Sequence, residues 1–301
     1  MAAALDTLRI TPGQMNFDRN WAPSCALMDS TVLRALQDVF YLPDILSERV
    51  ASAFTDLSVP DPLPGGISDL QGILQDLGGG YSGAVDSIGA GCADSLLAIV
   101  TNMWGDSDNP GEWGGWGAVI AGRGGQPVDT LDLHPDTLAL LLERWPVQPA
   151  VPADSLLAIA LGLRDAEWPA PVSVDLPGVA GTVVAFDLGA PVPYVVGAEG
   201  RNEYGPGCPF NLILDLGGDD FYGDGIGGAM GPVDRYSTLI VDFGGNDSYV
   251  SRLPIAAGAG VMGFGGVIDL GGDDVYRSGP ISQGAGLCGQ GLLIDLGGND
   301  L

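Results

Sequence analysis

From about residue 183 onward, apolar residues alternate in short runs, each ending on an aspartate and a Gly-Gly pair. In LIVDFGGNDSY (239–249), Leu239, Val241 and Phe243 fall on one side of an extended chain and Ile240 and Asp242 on the other. That period of two predicts a β-strand. Gly244-Gly245 predicts the tight turn that ends it, in a conformation that side chains resist. The same run recurs as LILDLGGDDFY (212–222), GVIDLGGDDVY (266–276) and LLIDLGGNDL (292–301). The leading aspartates Asp215, Asp242, Asp269 and Asp295 follow one another at spacings of 27, 27 and 26. A degenerate copy, VAFDLGAPVPY (184–194), places Asp187 a further 28 upstream. VVGAEGRNEY (195–204) resembles the end of the motif, with Tyr204 in the place of Tyr222. A second column, GAGVMGFGG (258–266) and GAGLCGQGL (284–292), shares G-x-G-x-x-G-x-G at a spacing of 26.

A fixed period of this size means stacked structural units. It accommodates two or three short strands with tight turns and is too short for a usual strand–helix crossover. The predicted fold is therefore α plus β-solenoid. A mainly helical or irregular N-terminal region, 1–170, precedes a parallel β-helix, 183–301, in which each coil is one repeat, about 26–27 positions long. Tyr222, Tyr249 and Tyr276 should stack as a ladder, and the Gly columns should mark corners. Asp242 and its equivalents are expected to face outward in one acidic column, with Asp247 and its equivalents at the turn of another.

Upstream the pattern is helical. DSTVLRALQDVFYL (29–42), PDILSERVASAF (43–54) and HPDTLALLLERW (134–145) have helical spacing of apolar residues and plausible start signals. ADSLLAIV (93–100) and ADSLLAIA (153–160) nearly repeat, each placing Asp-Ser before an apolar run. Pro-rich stretches at 146–152 and 168–177 predict linkers or turns. NMWGDSDNPGEWGGWGAVIAGRGG (102–125) fails as a helix–loop–helix calcium loop. Pro110 stands where a ligand belongs, and Gly117 stands where a bidentate Glu is needed.

Charge narrows the function. Eleven basic residues, all Arg, face 38 acidic ones, a formal net charge of −27 over 301 residues. Such an excess excludes nucleic acid, whose phosphates need cationic partners, and opposes an anionic membrane surface. It fits a binder of cations, divalent ones among them, or a chain that works where cations screen it. No apolar run is long enough to predict membrane insertion. The start MAAALDTLRITPGQ lacks a secretory leader, and the last repeat breaks off at Leu301, so the chain is expected to be part of a longer protein. Cys25, Cys92, Cys208 and Cys288 form no CxxC, which argues against zinc. They are read as buried thiols, although four cysteines also allow three disulfide pairings.

Stacking imposes an electrostatic demand. Equivalent residues on successive coils lie about 4.8 Å apart. Ionised aspartates at that distance repel by about 0.9 kcal/mol per pair in water, or about 3.5 at an effective dielectric near 20. The fold must splay them into solvent, protonate some or place cations between them. Carboxylates beside carbonyls of Gly-rich turns are oxygen ligands of the kind Ca²⁺ prefers. Asp215, Asp220, Asp242, Asp247, Asp269, Asp274, Asp295 and Asp300 are thus the candidate metal ligands, with Ca²⁺ as the candidate ion.

GNDSYV (245–250) resembles the second half of the haemolysin-type (RTX) calcium-binding nonapeptide, G-G-x-G-x-D-x-U-x. Gly245, Asp247 and Tyr249 fall on its Gly, Asp and large apolar positions. Gly218/Asp220/Tyr222, Gly272/Asp274/Tyr276 and Gly298/Asp300 match likewise. The opening Gly-Gly is replaced by Asp242-Phe243 and its equivalents, and 27 is three nines where that family's coils use two. The repeats also resemble bacterial Gly/Asp-rich proteins with D-x-G-G-[DN]-D-x-Y units. The RTX resemblance implies that Asp220, Asp247, Asp274 and Asp300 ligate Ca²⁺.

Competing readings are weaker. The recurring Gly258/Gly260/Gly263 pattern is no dinucleotide loop, because it repeats in register and no helix follows. A catalytic carboxylate pair would break a repeat, whereas these aspartates are the repeat. His134, the sole histidine, stands by Pro135 near a helix start, and the chain has neither H-E-x-x-H nor G-x-S-x-G. Trp104, Trp113 and Trp116 could stack on sugars but more simply fill a small core. The expectation is a non-enzymatic, Ca²⁺-stabilised scaffold or surface protein, extracellular or at a cell surface, with a protein or polysaccharide partner. The alternative is a carbohydrate-active parallel β-helix enzyme whose site lies outside the repeats or on one face.

Overall fold

The computed structural model describes residues 59–103, 119 and 143–301. The helices expected at 29–42 and 43–54, most of 134–145, His134, Cys25, Trp104, Trp113 and Trp116 lie outside the described residues, as does most of the 102–125 loop.

Among the described residues three helices precede the strands: α1 (Ile67–Ile88), α2 (Ala90–Met103) and α3 (Ala153–Arg164). Sequence pattern alone does not reveal helix α1, because GGG at 78–80 reads as a break. It forms because Leu70, Leu74, Leu77, Tyr81, Ala84 and Val85 make one buried stripe at helical spacing, and tertiary burial outweighs propensity. Gly78 lies where the helix crosses the sheet: a Cβ there would sit 3.0 Å from Ser237 Oγ, and that hydroxyl donates to the Leu74 carbonyl. Gly79 has open space around its missing Cβ. Gly79→Ala should therefore stabilise the protein by about 0.5–1 kcal/mol, seen as a small rise in Tm. The two Asp-Ser copies fall differently. Asp154 lies in the first turn of α3. In α2 the helix starts earlier, at Ala90, so Ser95 sits one turn in and donates to Gly91 O.

Fourteen strands follow, β1 (Val179–Ala180), β2 (Val183–Asp187), β3 (Tyr194–Gly197), β4 (Glu203–Tyr204), β5 (Leu212–Asp215), β6 (Phe221–Tyr222), β7 (Ala229–Met230), β8 (Ser237–Asp242), β9 (Ser248–Val250), β10 (Gly260–Val261), β11 (Phe264–Asp269), β12 (Val275–Arg277), β13 (Gly286–Leu287) and β14 (Gln290–Asp295). They form a parallel β-solenoid of about three turns with three sheets, ordered β14-β11-β8-β5-β3-β2, β1-β4-β6-β9-β12 and β13-β10-β7. The register carries the repeat directly. Asp215, Asp242, Asp269 and Asp295 stand opposite one another, as do Tyr204, Tyr222, Tyr249 and Tyr276.

The degenerate copy departs from this scheme. Strand β2 pairs antiparallel with β3 as a hairpin, so Asp187 does not join the column. Gly197 is the residue that stands opposite Asp215.

Both faces of the central strands β5, β8 and β11 are buried, unlike a half-solvated strand. Leu212, Leu214, Leu239 and Val241 pack outward against α1 and α3. Ile213, Ile240 and Val267 point into the coil with the tyrosines. Helix α2 and the end of α1 cover Met230, Val261 and Met262 near the three-stranded sheet. Helices and coils thus share one compact unit, Pro60–Leu301. The second Gly column holds the corners by close approach: a Cβ on Gly258 would collide with the Leu292 carbonyl of the next coil. Cys92, Cys208 and Cys288 are free thiols.

Candidate metal centre

Each repeat builds the same small constellation. The strand ends on an inward-pointing Asp, the Gly-Gly turn carries the chain from the six-stranded to the five-stranded sheet, and the second Asp of the motif lies near the inward column. The turn needs glycine because the coils stack backbone to backbone there. Gly244 has φ +140°, and a Cβ on Gly245 would collide with the carbonyl of Gly218 one coil earlier.

The first column does not face outward, contrary to expectation. Asp215, Asp242 and Asp269 are 0 % exposed, because the period of two that sends Leu239 and Val241 to the helices sends Ile240 and Asp242 inside. Asp295, in the last coil, is half-buried. Each carboxylate is held by two donors. Its Oδ1 accepts from the backbone N–H two residues on, at 3.0 Å from Gly217, 2.8 Å from Gly244, 2.9 Å from Gly271 and 3.0 Å from Gly297. Its Oδ2 accepts from a tyrosine hydroxyl of the preceding coil: Tyr204 to Asp215 at 2.6 Å, Tyr222 to Asp242 at 2.5 Å, Tyr249 to Asp269 at 2.7 Å and Tyr276 to Asp295 at 2.9 Å. These rings form the expected ladder, stacked with centroids 5.1, 4.6 and 4.8 Å apart. Burial, with the carboxylates beside them, pushes all four hydroxyls up, so they remain donors.

The second column is the anomaly. Asp220, Asp247 and Asp274 are buried. Oδ1 of each bonds to the coil before: Asn202 N–H donates to Asp220, Asp220 N–H to Asp247 at 2.7 Å, Asp247 N–H to Asp274 at 2.6 Å, and Asp274 N–H to Asp300 at 3.0 Å. Oδ2 of Asp220, Asp247 and Asp274 is buried and finds no hydrogen-bond donor among the described residues. Native proteins rarely leave such an atom unmatched.

These orphaned oxygens gather with the first column. Three groups bring carboxylate oxygens within 4.8 Å of one another: Asp220/Asp242/Asp247, Asp247/Asp269/Asp274 and Asp274/Asp295/Asp300. The third is more open, since Asp300 is exposed. Seven of the eight predicted ligand residues therefore meet. Asp215 stands outside these groups, where Asn202 Nδ2 donates to its Oδ2 at 3.2 Å. Among the described residues no arginine forms an ion pair with either column. Burial is the first cause lifting Asp215, Asp220, Asp242, Asp247, Asp269 and Asp274 above the ordinary carboxylate range, with neighbouring aspartates adding to it. Asp274 is pushed up to about 7.

A third, exposed column shows that the chain can avoid stacked charge. Asp219, Asn246, Asp273 and Asn299 alternate acid and amide. Asn246 donates its backbone and side-chain N–H groups to Asp219 Oδ1 at 3.0 and 3.2 Å, and Asn299 does the same to Asp273 at 2.9 and 3.3 Å. Asp273 N–H in turn donates to Asn246 Oδ1 at 3.0 Å. This alternation could have been read from DD, ND, DD and ND in the four motifs. The Tyr–Asp pairing, too, was available in the sequence: the offset from Tyr222 to Asp242 equals that from Tyr249 to Asp269. The inner columns are acid in every coil from Asp220 on, just where charge is hardest to solvate. All their donors are hard oxygens, a set suited to a divalent cation such as Ca²⁺. The sequence and structure match no known protein-family model, no curated protein and no solved structure.

Proposed function

We propose that this protein is a non-enzymatic repeat scaffold whose coils are held together by bound Ca²⁺. One observation carries the reading: three buried carboxylate oxygens, on Asp220, Asp247 and Asp274, have no partner and are grouped with further carboxylates. A divalent cation supplies the missing interaction and neutralises charges that burial otherwise opposes. The likeness of Gly245/Asp247/Tyr249 to the RTX-type calcium-binding motif supports the same ion. A calcium-dependent coil is suited to work outside the cytosol, where weak sites fill, at a cell surface or in the surrounding medium. Its outer surface would present a protein or polysaccharide partner. Asp215, Asp220, Asp242, Asp247, Asp269 and Asp274 are buried inside the coil, out of reach of a sugar ring, which favours a scaffold over a carbohydrate-active enzyme.

The test is a calcium titration of EDTA-treated protein at pH 8, followed by circular dichroism and Tm. Each site filled at a hundredfold excess over its Kd adds about 2.7 kcal/mol, so a large rise in Tm is expected. Mg²⁺ should do less, because it dehydrates reluctantly and demands near-octahedral geometry. Melting curves that coincide in EDTA and in Ca²⁺ would sink the proposal.

A further inference from the structure

We infer that Asn202 is a built-in substitute for a bound cation: it closes the row of sites, and the residue at its position in each coil decides whether that coil takes an ion. The inference rests on the calcium reading above and adds what sets the number of ions.

Asn202 is the equivalent of Asp220 one coil earlier. The strand residues that follow them pair directly, Glu203 with Phe221 and Tyr204 with Tyr222. The backbone N–H of Asn202 donates to Asp220 just as that of Asp220 donates to Asp247. Asn202 is fully buried, and its Oδ1 accepts from Thr182 N–H at 3.1 Å, as Oδ1 of each Asp accepts from the coil before. The difference is at the other branch. Asn202 Nδ2 donates to Thr182 O at 3.0 Å and to Asp215 Oδ2 at 3.2 Å, and lies 3.3 Å from the Tyr204 hydroxyl. In Asp220, Asp247 and Asp274 the same branch is Oδ2, an acceptor where the amide has a donor, and there it finds no partner.

In the first coil the amide N–H satisfies the inward carboxylate of Asp215 without any ion. In the next three, no group among the described residues takes that place between Oδ2 and the inward Asp242, Asp269 and Asp295. Each of these coils calls for one cation. Asp247 and Asp274 each belong to two groups, so neighbouring ions share ligands and form one continuous row. Three divalent ions bring six positive charges to seven carboxylates, close to balance.

The experiment counts calcium bound per chain at saturation, by equilibrium dialysis with elemental analysis, and records Tm in EDTA at pH 8. Wild type should hold three ions. Asp220→Asn should hold two and melt several degrees higher than wild type in EDTA, because its amide donates to Asp242. Asn202→Asp should hold four and melt lower in EDTA. If wild type binds calcium but Asp220→Asn keeps the full count, or melts no higher in EDTA, the inference is overturned while the calcium reading stands. If wild type binds none, the calcium reading fails and the count fails with it. Asp220→Asn keeps the inference decidable should Asn202→Asp not fold.

Discussion

Calcium-free protein should lose stability as pH rises, the reverse of the common carboxylate pattern, and Ca²⁺ should cancel the loss. The sign follows from the direction of the shifts. The folded state holds the protons of its buried aspartates more tightly than an unfolded chain, where Asp titrates near 3.9. A group raised in this way contributes stability that is fully present below its unfolded value and disappears as pH passes its folded one. For Asp274 the folded value is about 7, so its contribution fades between about pH 4 and 7. Asp215, Asp220, Asp242, Asp247 and Asp269 are shifted in the same direction by burial, and together they steepen the trend. A proton on an orphaned Oδ2 would supply a donor in the same place as the amide of Asn202. In the proposed calcium-bound state a cation takes that role above neutral pH. Calorimetric melting in EDTA at pH 5, 7 and 9 should show a falling Tm, and millimolar Ca²⁺ should restore it at pH 9. A Tm in EDTA that stays level or climbs with pH would contradict this account of the buried columns.

Tyr249 should prove the most damaging single truncation in the coil. Its ring lies between Tyr222 and Tyr276, with centroids 4.6 and 4.8 Å away, and its hydroxyl donates to Asp269. Removing a buried aromatic side chain costs about 3–5 kcal/mol. Leaving the carboxylate of Asp269 short of a donor adds about 1–3 more. That sum rivals the whole stability of many domains, about 5–15 kcal/mol, so Tyr249→Ala should leave much of the protein unfolded. Tyr249→Phe keeps the stack and loses only the donor. It should cost about 1–3 kcal/mol, and more at pH 8 than at pH 5, because the hydroxyl stabilises the ionised form of Asp269. Urea denaturation of both variants separates the two roles. Equal losses would mean that the ladder contributes nothing beyond its hydrogen bonds.

The fixed repeat period and the alternation within each run were enough to predict parallel coils, Gly-Gly turns and the tyrosine ladder. Each of these depends on local backbone geometry or on stacking identical units, and both leave a direct imprint on spacing. Helix α1 was hidden behind Gly78-Gly79-Gly80, because its stability comes from a stripe packed on the sheet and not from its own propensity. Asp187 was misplaced for a similar reason: DLG in a hairpin looks the same as DLG in a coil until the pairing partner is known.

The aspartates mark the boundary most clearly. Their number, spacing and acidity were plain from the chain, and so was the need to relieve stacked charge. Whether they faced solvent was not. Period two assigns Asp242 to the side opposite Leu239 and Val241, but it cannot say which side the helices will cover. Once α1 and α3 pack on the leucine side, Asp242 must enter the coil, where the desolvation of an ionised carboxylate outweighs the repulsion between exposed neighbours. Only the packing of helices on the coils turned a repeated acidic motif into a buried row of carboxylates with three unmatched oxygens.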